Sequence, residues 1–174
     1  MASELLWASE VREFRGRRSR ASIEVTTHLP LDQGAGLVTP LPADGGPVPG
    51  TIVEHQAHAI GHAAVLLADR GVLLAGDMLS DVLIPLFDPR RPGQVGAYET
   101  ALDRLGEAAR RVDVLVPGHG AVAEGPEVAA RLAADHAYID ALRRGEEPAD
   151  ARLSQDWLSG PHQSNLEQAR HSTG

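Results

Sequence analysis

Between Thr51 and Val116 short apolar runs alternate with tight polar breaks, which is the pattern of a sheet with brief connections. Thr51 to Glu54 and Ala63 to Ala68 read as strands, with Asp69-Arg70-Gly71 as a turn signal after them. Val72 to Ala75 is a third strand that ends at Gly76-Asp77. From Tyr98 to Arg111 the period changes: Ala101, Leu102, Leu105, Ala108 and Ala109 share one helical face. Val112 to Val116 is a continuous apolar run, which predicts a buried strand, and Pro117-Gly118-His119-Gly120 follows it directly. Pro126 suits the first position of a helix that runs to about Arg144, where Gly145 stops it.

The flanks are less regular. Glu4 to Arg20 reads as a helix, with Leu5, Leu6, Val11 and Phe14 among many charges. Ser22 to His28 reads as a strand or as the tail of that helix. Pro30 to Gly50 is rich in Pro, Gly and Asp, so loop and turn are expected, with a short extended piece at Leu37-Val38. From Glu146 onward the chain reads as a polar tail with disordered last residues, in which Leu153, Trp157 and Leu158 can dock. No internal repeat is visible.

Composition narrows the functional classes. At 174 residues the chain fits one domain with a real core. Aromatic residues are scarce, so that core must be built from Ala, Val and Leu. A formal charge of −8 argues against nonspecific attraction to nucleic acid or to an anionic membrane. The basic run from Arg15 to Arg20 reads as a solvated helix face. The absence of cysteine excludes disulfides and thiolate zinc sites. No signal-peptide core and no membrane-length apolar run occurs, so the expected location is the cytoplasm.

Three segments carry chemistry: Ala57-His58-Ala59-Ile60-Gly61-His62, Gly76-Asp77 and Pro117-Gly118-His119-Gly120. Asp77 and His119 sit directly beside glycine and His58 three positions before Gly61, each just beyond a strand signal, where a tight loop can aim a side chain. Imidazole nitrogen and carboxylate oxygen are donors for zinc and other divalent first-row metals. His55, His58 and His62 have the spacing of one helix face, but Ile60-Gly61 and the flanking strands favour a loop. His55 reads as a surface strand residue, and Asp77 taken alone as a turn or cap aspartate. His136, His162 and His171 are expected to face solvent.

In order and spacing these segments resemble the metallo-β-lactamase-fold hydrolase superfamily over roughly residues 48 to 144. The resemblance implies an α/β (α+β) fold, an αββα sandwich truncated at its N-terminal side. It implies a domain over residues 1–145 followed by the tail 146–174. It also implies one or two zinc ions, with His58 on one metal, His119 on the other and Asp77 bridging them. Asp77 then orients the nucleophilic water, and His62 lies next to the site as a structural partner. Leu79, Ser80 and Asp81 either border the substrate pocket or pack as core and loop. The superfamily's first motif, His-x-His-x-Asp-His, has no intact copy. Thr27-His28-Leu29-Pro30-Leu31-Asp32-Gln33-Gly34 keeps His28 and Asp32 but has Pro30 and Gln33 where two ligands belong. The favoured alignment instead starts the chain after that motif, with Ala8-Ser9-Glu10 opening the following helix.

The function implied is metal-dependent hydrolysis of a small ester, thioester, lactone or lactam through a metal-bound hydroxide. With so few ligands retained, the alternative is an inactive half-domain that works by association with a second copy or a complementing chain. A partner that supplies the absent histidines, or a truncated gene model, accounts for the same missing motif.

Overall fold

The computed structural model describes residues 38–43 and 46–172, with side chains from Gly50 to His171. Among these residues β1 (Val38–Ala43), β2 (Gly46–Glu54), β3 (Ala63–Leu67), β4 (Val72–Gly76), β5 (Val114–Pro117) and β6 (Ala123–Glu124) form one sheet in sequence order. All neighbours are antiparallel except β4 and β5, which run parallel. A parallel pair needs a crossover, and α1 (Gln94–Ala109) supplies it. Helices α2 (Pro126–Arg144) and α3 (Ser159–Ser172) follow. With its mixed sheet and helical layer, the chain has the α/β architecture expected from its sequence.

The predicted middle strands, the turn at Gly71 and the helix from Pro126 to Arg144 all form. The 38–50 stretch, expected as loop, is instead a hairpin in which Pro40 faces Pro49 and Pro42 faces Pro47. Proline is tolerated there because β1 is an edge strand and β2 joins β3 only from Thr51 onward. Helix α1 begins at Gln94, four residues before the apolar period, and both Gln94 and Val95 are buried. The expected helix at Glu4 to Arg20, the segment Ser22 to His28 and the residues His28 and Asp32 lie outside the described residues.

Beyond Glu146 the chain is far more ordered than a polar tail. Short 3-10 turns at Ala151–Ser154 and Asp156–Leu158 lead into α3. Leu158 is fully buried and Leu153 packs on the core, whereas Trp157 stays exposed. His162, expected in solvent, is buried between the Tyr138 hydroxyl and the Glu147 carboxylate. Asn165 completes the anchor: its amide donates to Pro85 O and the Tyr138 hydroxyl, and its carbonyl accepts the Phe87 N–H. Few of these residues are apolar, so the docking uses hydrogen bonds that a hydrophobicity pattern does not register.

The core lies between the sheet and the helices. Leu66, Leu73 and Leu115 alternate inward from β3, β4 and β5 and join Tyr98, Leu102 and Leu105 of α1. Because β2 and β4 are both antiparallel to β3, and β5 is parallel to β4, three strands finish at the same edge. The segments after Glu54, Gly76 and Pro117 therefore emerge side by side.

Candidate metal centre

At that edge the structure brings together the three residues singled out from sequence. His58 Nε2 lies 3.2 Å from Asp77 Oδ2, and His119 Nε2 lies 3.4 Å from Asp77 Oδ1. The two imidazoles thus address opposite oxygens of one carboxylate. The Asp77 and His58 side chains are 16% exposed, and His119 at 46% forms the open side. The hydrogen bond from His58 holds the Asp77 carboxyl below its usual range. Burial opposes this, and the charges of His58, His119 and His62 reinforce it.

Local backbone chemistry explains why the rim can be this crowded. A Cβ on Gly118 would stand 2.5 Å from Asp77 Oδ1, so only glycine leaves room for the carboxylate. Gly76 has φ +58°, and a side chain there would press on the His62 ring at 2.7 Å. His58 itself has φ +60°, a left-handed conformation that costs a non-glycine residue about 1–2 kcal/mol.

His62 supports the rim from behind. Its Nε2 accepts the backbone N–H of Asp77 at 3.1 Å, and its Nδ1 lies 3.2 Å from His55 Nε2. An accepting Nε2 carries no proton, so the His62 proton sits on Nδ1 and is donated to His55. Both rings are then neutral. Burial, followed by the neighbouring His62, His58 and Arg104, pushes His55 down to about 4, with a backbone hydrogen bond to Ala57 opposing. Burial and His58 also lower His62. His55 is therefore not a surface residue: it is 3% exposed and closes the relay.

The segment after Asp77 clamps the His119 loop rather than opening to solvent. Leu79 and Ser80 are buried and pack as core and loop. Ser80 Oγ donates to His119 O at 2.9 Å and accepts the N–H groups of Val82 and Leu83. Asp81 Oδ1 accepts the Ala121 N–H and faces Arg131. Leu79, at φ +58°, donates its N–H to Asp135, and Asp135 pairs with buried Arg152 at 2.7 Å. Arg152 also donates to Ser80 O and Leu83 O. Sequence reading missed this brace. One signal for it was available: Asp135 lies on the buried stripe of α2 with Val128, Arg131, Tyr138 and Leu142.

A cavity of about 560 Å³ opens between α2 and residues 146–152. It reaches Ser80 and Asp81 but none of His58, Asp77 or His119, and Ala130, Ala134, Ala137 and Ala141 line it. The chemistry of the rim lies elsewhere.

The donor set can be tested against a metal. Two donors bonded at 2.0–2.2 Å to one tetrahedral ion are about 3.4 Å apart, which matches both nitrogen–oxygen separations. The residue types and spacing therefore fit part of a divalent-metal shell. The count is short, because each histidine–oxygen pair gives an ion two protein donors and zinc generally takes at least three. Among the described residues no group of three or more His, Cys, Asp or Glu converges so as to hold an ion. In addition, His58 Nδ1 is buried without a hydrogen-bond partner among them.

Fold and rim together define a class: an α/β domain with a histidine–aspartate cluster at one edge of its sheet. The sequence profile of the metallo-beta-lactamase superfamily matches residues 41–119. A metallo-beta-lactamase family protein of Thermus thermophilus is similar in structure, with a TM-score of 0.56 and 24% identity over 83% of this chain and 50% of that one. A beta-lactamase domain protein of Burkholderia ambifaria gives a TM-score of 0.50 and 21% identity over 78% of this chain and 43% of that one. Over residues 41–119 the chain thus matches a superfamily whose members usually bind metal ions, often zinc. It spans about half the length of these solved structures. No curated protein matches it. No helix among the described residues is long and apolar enough to cross a membrane.

Proposed function

We propose that the His58–Asp77–His119 rim is the metal-holding part of a hydrolase centre that cleaves a small ester, thioester, lactone or lactam. The observation that supports this most is the pair of imidazole nitrogens set on opposite oxygens of one half-buried carboxylate. His58 Nε2 with Asp77 Oδ2, and His119 Nε2 with Asp77 Oδ1, are the donors that would hold zinc or a similar ion. When bound, the metal supplies Lewis acidity, polarising a carbonyl and bringing the acidity of water towards neutrality.

The chain's own residues prepare that chemistry. Asp77 stays ionised and keeps acceptor oxygens where a water and its proton can be held. His62 and His55 stay neutral, so they place no competing positive charge behind a cation. The Ser80 clamp keeps His119 at the open side, where a small substrate can approach.

Zinc measured on the purified full chain tests the reading. A content below about one-tenth of an ion per chain at neutral pH rejects an active metalloenzyme, because a competent site retains its metal. With zinc present, hydrolysis is expected for at least one of the four carbonyl classes and should disappear in Asp77→Asn. The donor shortage favours a second reading, association without catalysis. In that case zinc and hydrolysis are both absent while the chain remains folded.

A further inference from the structure

Leu79 is the pivot of the segment that carries the rim. Just before it Asp77 faces both imidazoles, and just after it Ser80 returns its hydroxyl to His119 O. The chain makes this reversal with Leu79 at φ +58°, a left-handed conformation that residues other than glycine disfavour. Glycine would adopt the angle freely. The position is fully buried, however, and the leucine side chain belongs to the core. One residue must therefore combine a core side chain with a glycine-like backbone, and something outside the turn has to hold it there.

Asp135 supplies that hold. Its Oδ2 accepts the Leu79 N–H at 3.2 Å across 56 positions of chain. The carboxyl stands midway along α2 at 2% exposure, and burial pushes it up to about 6 against the opposing effects of Arg152 and the Leu79 N–H. Charge pairing alone does not explain a carboxylate in so unfavourable a place. Arg152 already has Asp150 as a partner, with Nε 3.0 and 3.2 Å from its two oxygens and Nη2 at 2.6 Å. Asp135 is thus a second carboxylate on one guanidinium. Apolar residues of like volume often stabilise as well as a buried ion pair does. They cannot accept the Leu79 N–H. Arg152 Nη1 meets the other oxygen, Oδ1, at 2.7 Å and so fixes where Oδ2 points.

We infer that Asp135 is a positioning residue of the rim: by holding the left-handed turn at Leu79 it sets the Asp77 carboxylate against the His119 loop, and with that the affinity for a divalent cation. The inference deepens the function proposed above and rests on it for the cation. Removing an outer partner of this kind weakens metal binding by roughly 10–100-fold.

Two variants at this position separate the hold from general stability. Asp135→Asn keeps an oxygen for the Leu79 N–H, whereas Asp135→Leu removes it, and Arg152 retains Asp150 in both. Zinc titrated into the full chain at neutral pH should bind Asp135→Leu roughly 10–100-fold more weakly than the parent, and Asp135→Asn nearly as well as the parent. Amide exchange without added metal gives an independent reading. The Asp77 N–H should exchange faster in Asp135→Leu, by a larger factor than the Leu73 and Leu115 N–H groups of the sheet, and should recover in Asp135→Asn. Zinc affinity that survives in Asp135→Leu, or falls equally in both variants, overturns the inference. So does Asp77 exchange that quickens no more than exchange at Leu73 and Leu115. If the parent itself takes up no zinc, the metal reading fails and the exchange comparison decides the positioning role. If Asp135→Leu does not fold, Asp135→Ala removes the same oxygen without added bulk and takes its place.

Discussion

The ring of His62 accepts the backbone N–H of Asp77 at 3.1 Å, fixing by one hydrogen bond both the start of the Asp77 loop and the tautomer of two histidines. Protonating His62 at Nε2 breaks that bond and sets a charge beside His55 and His58. Acid should therefore reach the rim through its support.

His55 gives the sign of the pH dependence. Its folded value, about 4, lies below the unfolded 6.5, so between these values the unfolded chain binds the extra proton. Stability is complete above pH 6.5 and falls as the pH drops towards 4, by an upper limit on the order of 3 kcal/mol for this residue. The lowered His62 adds in the same direction. Urea unfolding at pH 7, 5.5 and 4.5 should show the decline, and His55→Gln should flatten it.

Gly118 separates position from stability. In Gly118→Ala the new methyl displaces the Asp77 carboxylate, while the backbone keeps a conformation that alanine accepts. Overpacking of this kind costs on the order of 1–3 kcal/mol. The variant should remain folded yet take up much less zinc from an equimolar supply than the parent. Undiminished uptake removes Asp77 from the metal shell.

The Ser80 hydroxyl joins two rim loops. In Ser80→Ala the Val82 and Leu83 N–H groups and the His119 carbonyl lose their partner, with an expected cost of about 1–3 kcal/mol. Amide exchange should accelerate at residues 82 and 83, and zinc should bind more weakly. Ser80→Thr, which keeps the hydroxyl, should recover part of both.

Arg152 makes the C-terminal region part of the rim's foundation. Its guanidinium meets Asp135, Asp150, Ser80 O and Leu83 O. Arg152→Met leaves Asp135 buried and uncompensated, which should cost about 3–5 kcal/mol. Replacing Asp135 by Leu in the same chain should return much of that, because no unpaired charge is then buried. A loss below about 1 kcal/mol in the single variant, within the range of an exposed pair, means that the pair is open to water.

What was legible in the sequence follows from local rules. Apolar periods located β3, β4 and α1, proline and glycine bounded α2, and glycine next to Asp77 and His119 and at Gly61 after His58 marked the loops that carry chemistry. These signals are local because strand alternation, helix caps and left-handed turns depend on residues a few positions apart. The 38–50 hairpin escaped because its prolines resemble loop residues, and their tolerance depends on which edges the strand leaves unpaired.

By itself, the order of residues determined that three ligand-type side chains would end up on tight turns after apolar strands. Only tertiary structure decided that both Asp77 oxygens face imidazoles, that His62 and His55 stand behind them, and that Arg152 reaches Ser80 across 72 positions. Strand direction and sheet order set those meetings. Hydrogen bonds between distant segments leave no period along the chain, since each depends on a partner that only folding brings within about 3 Å.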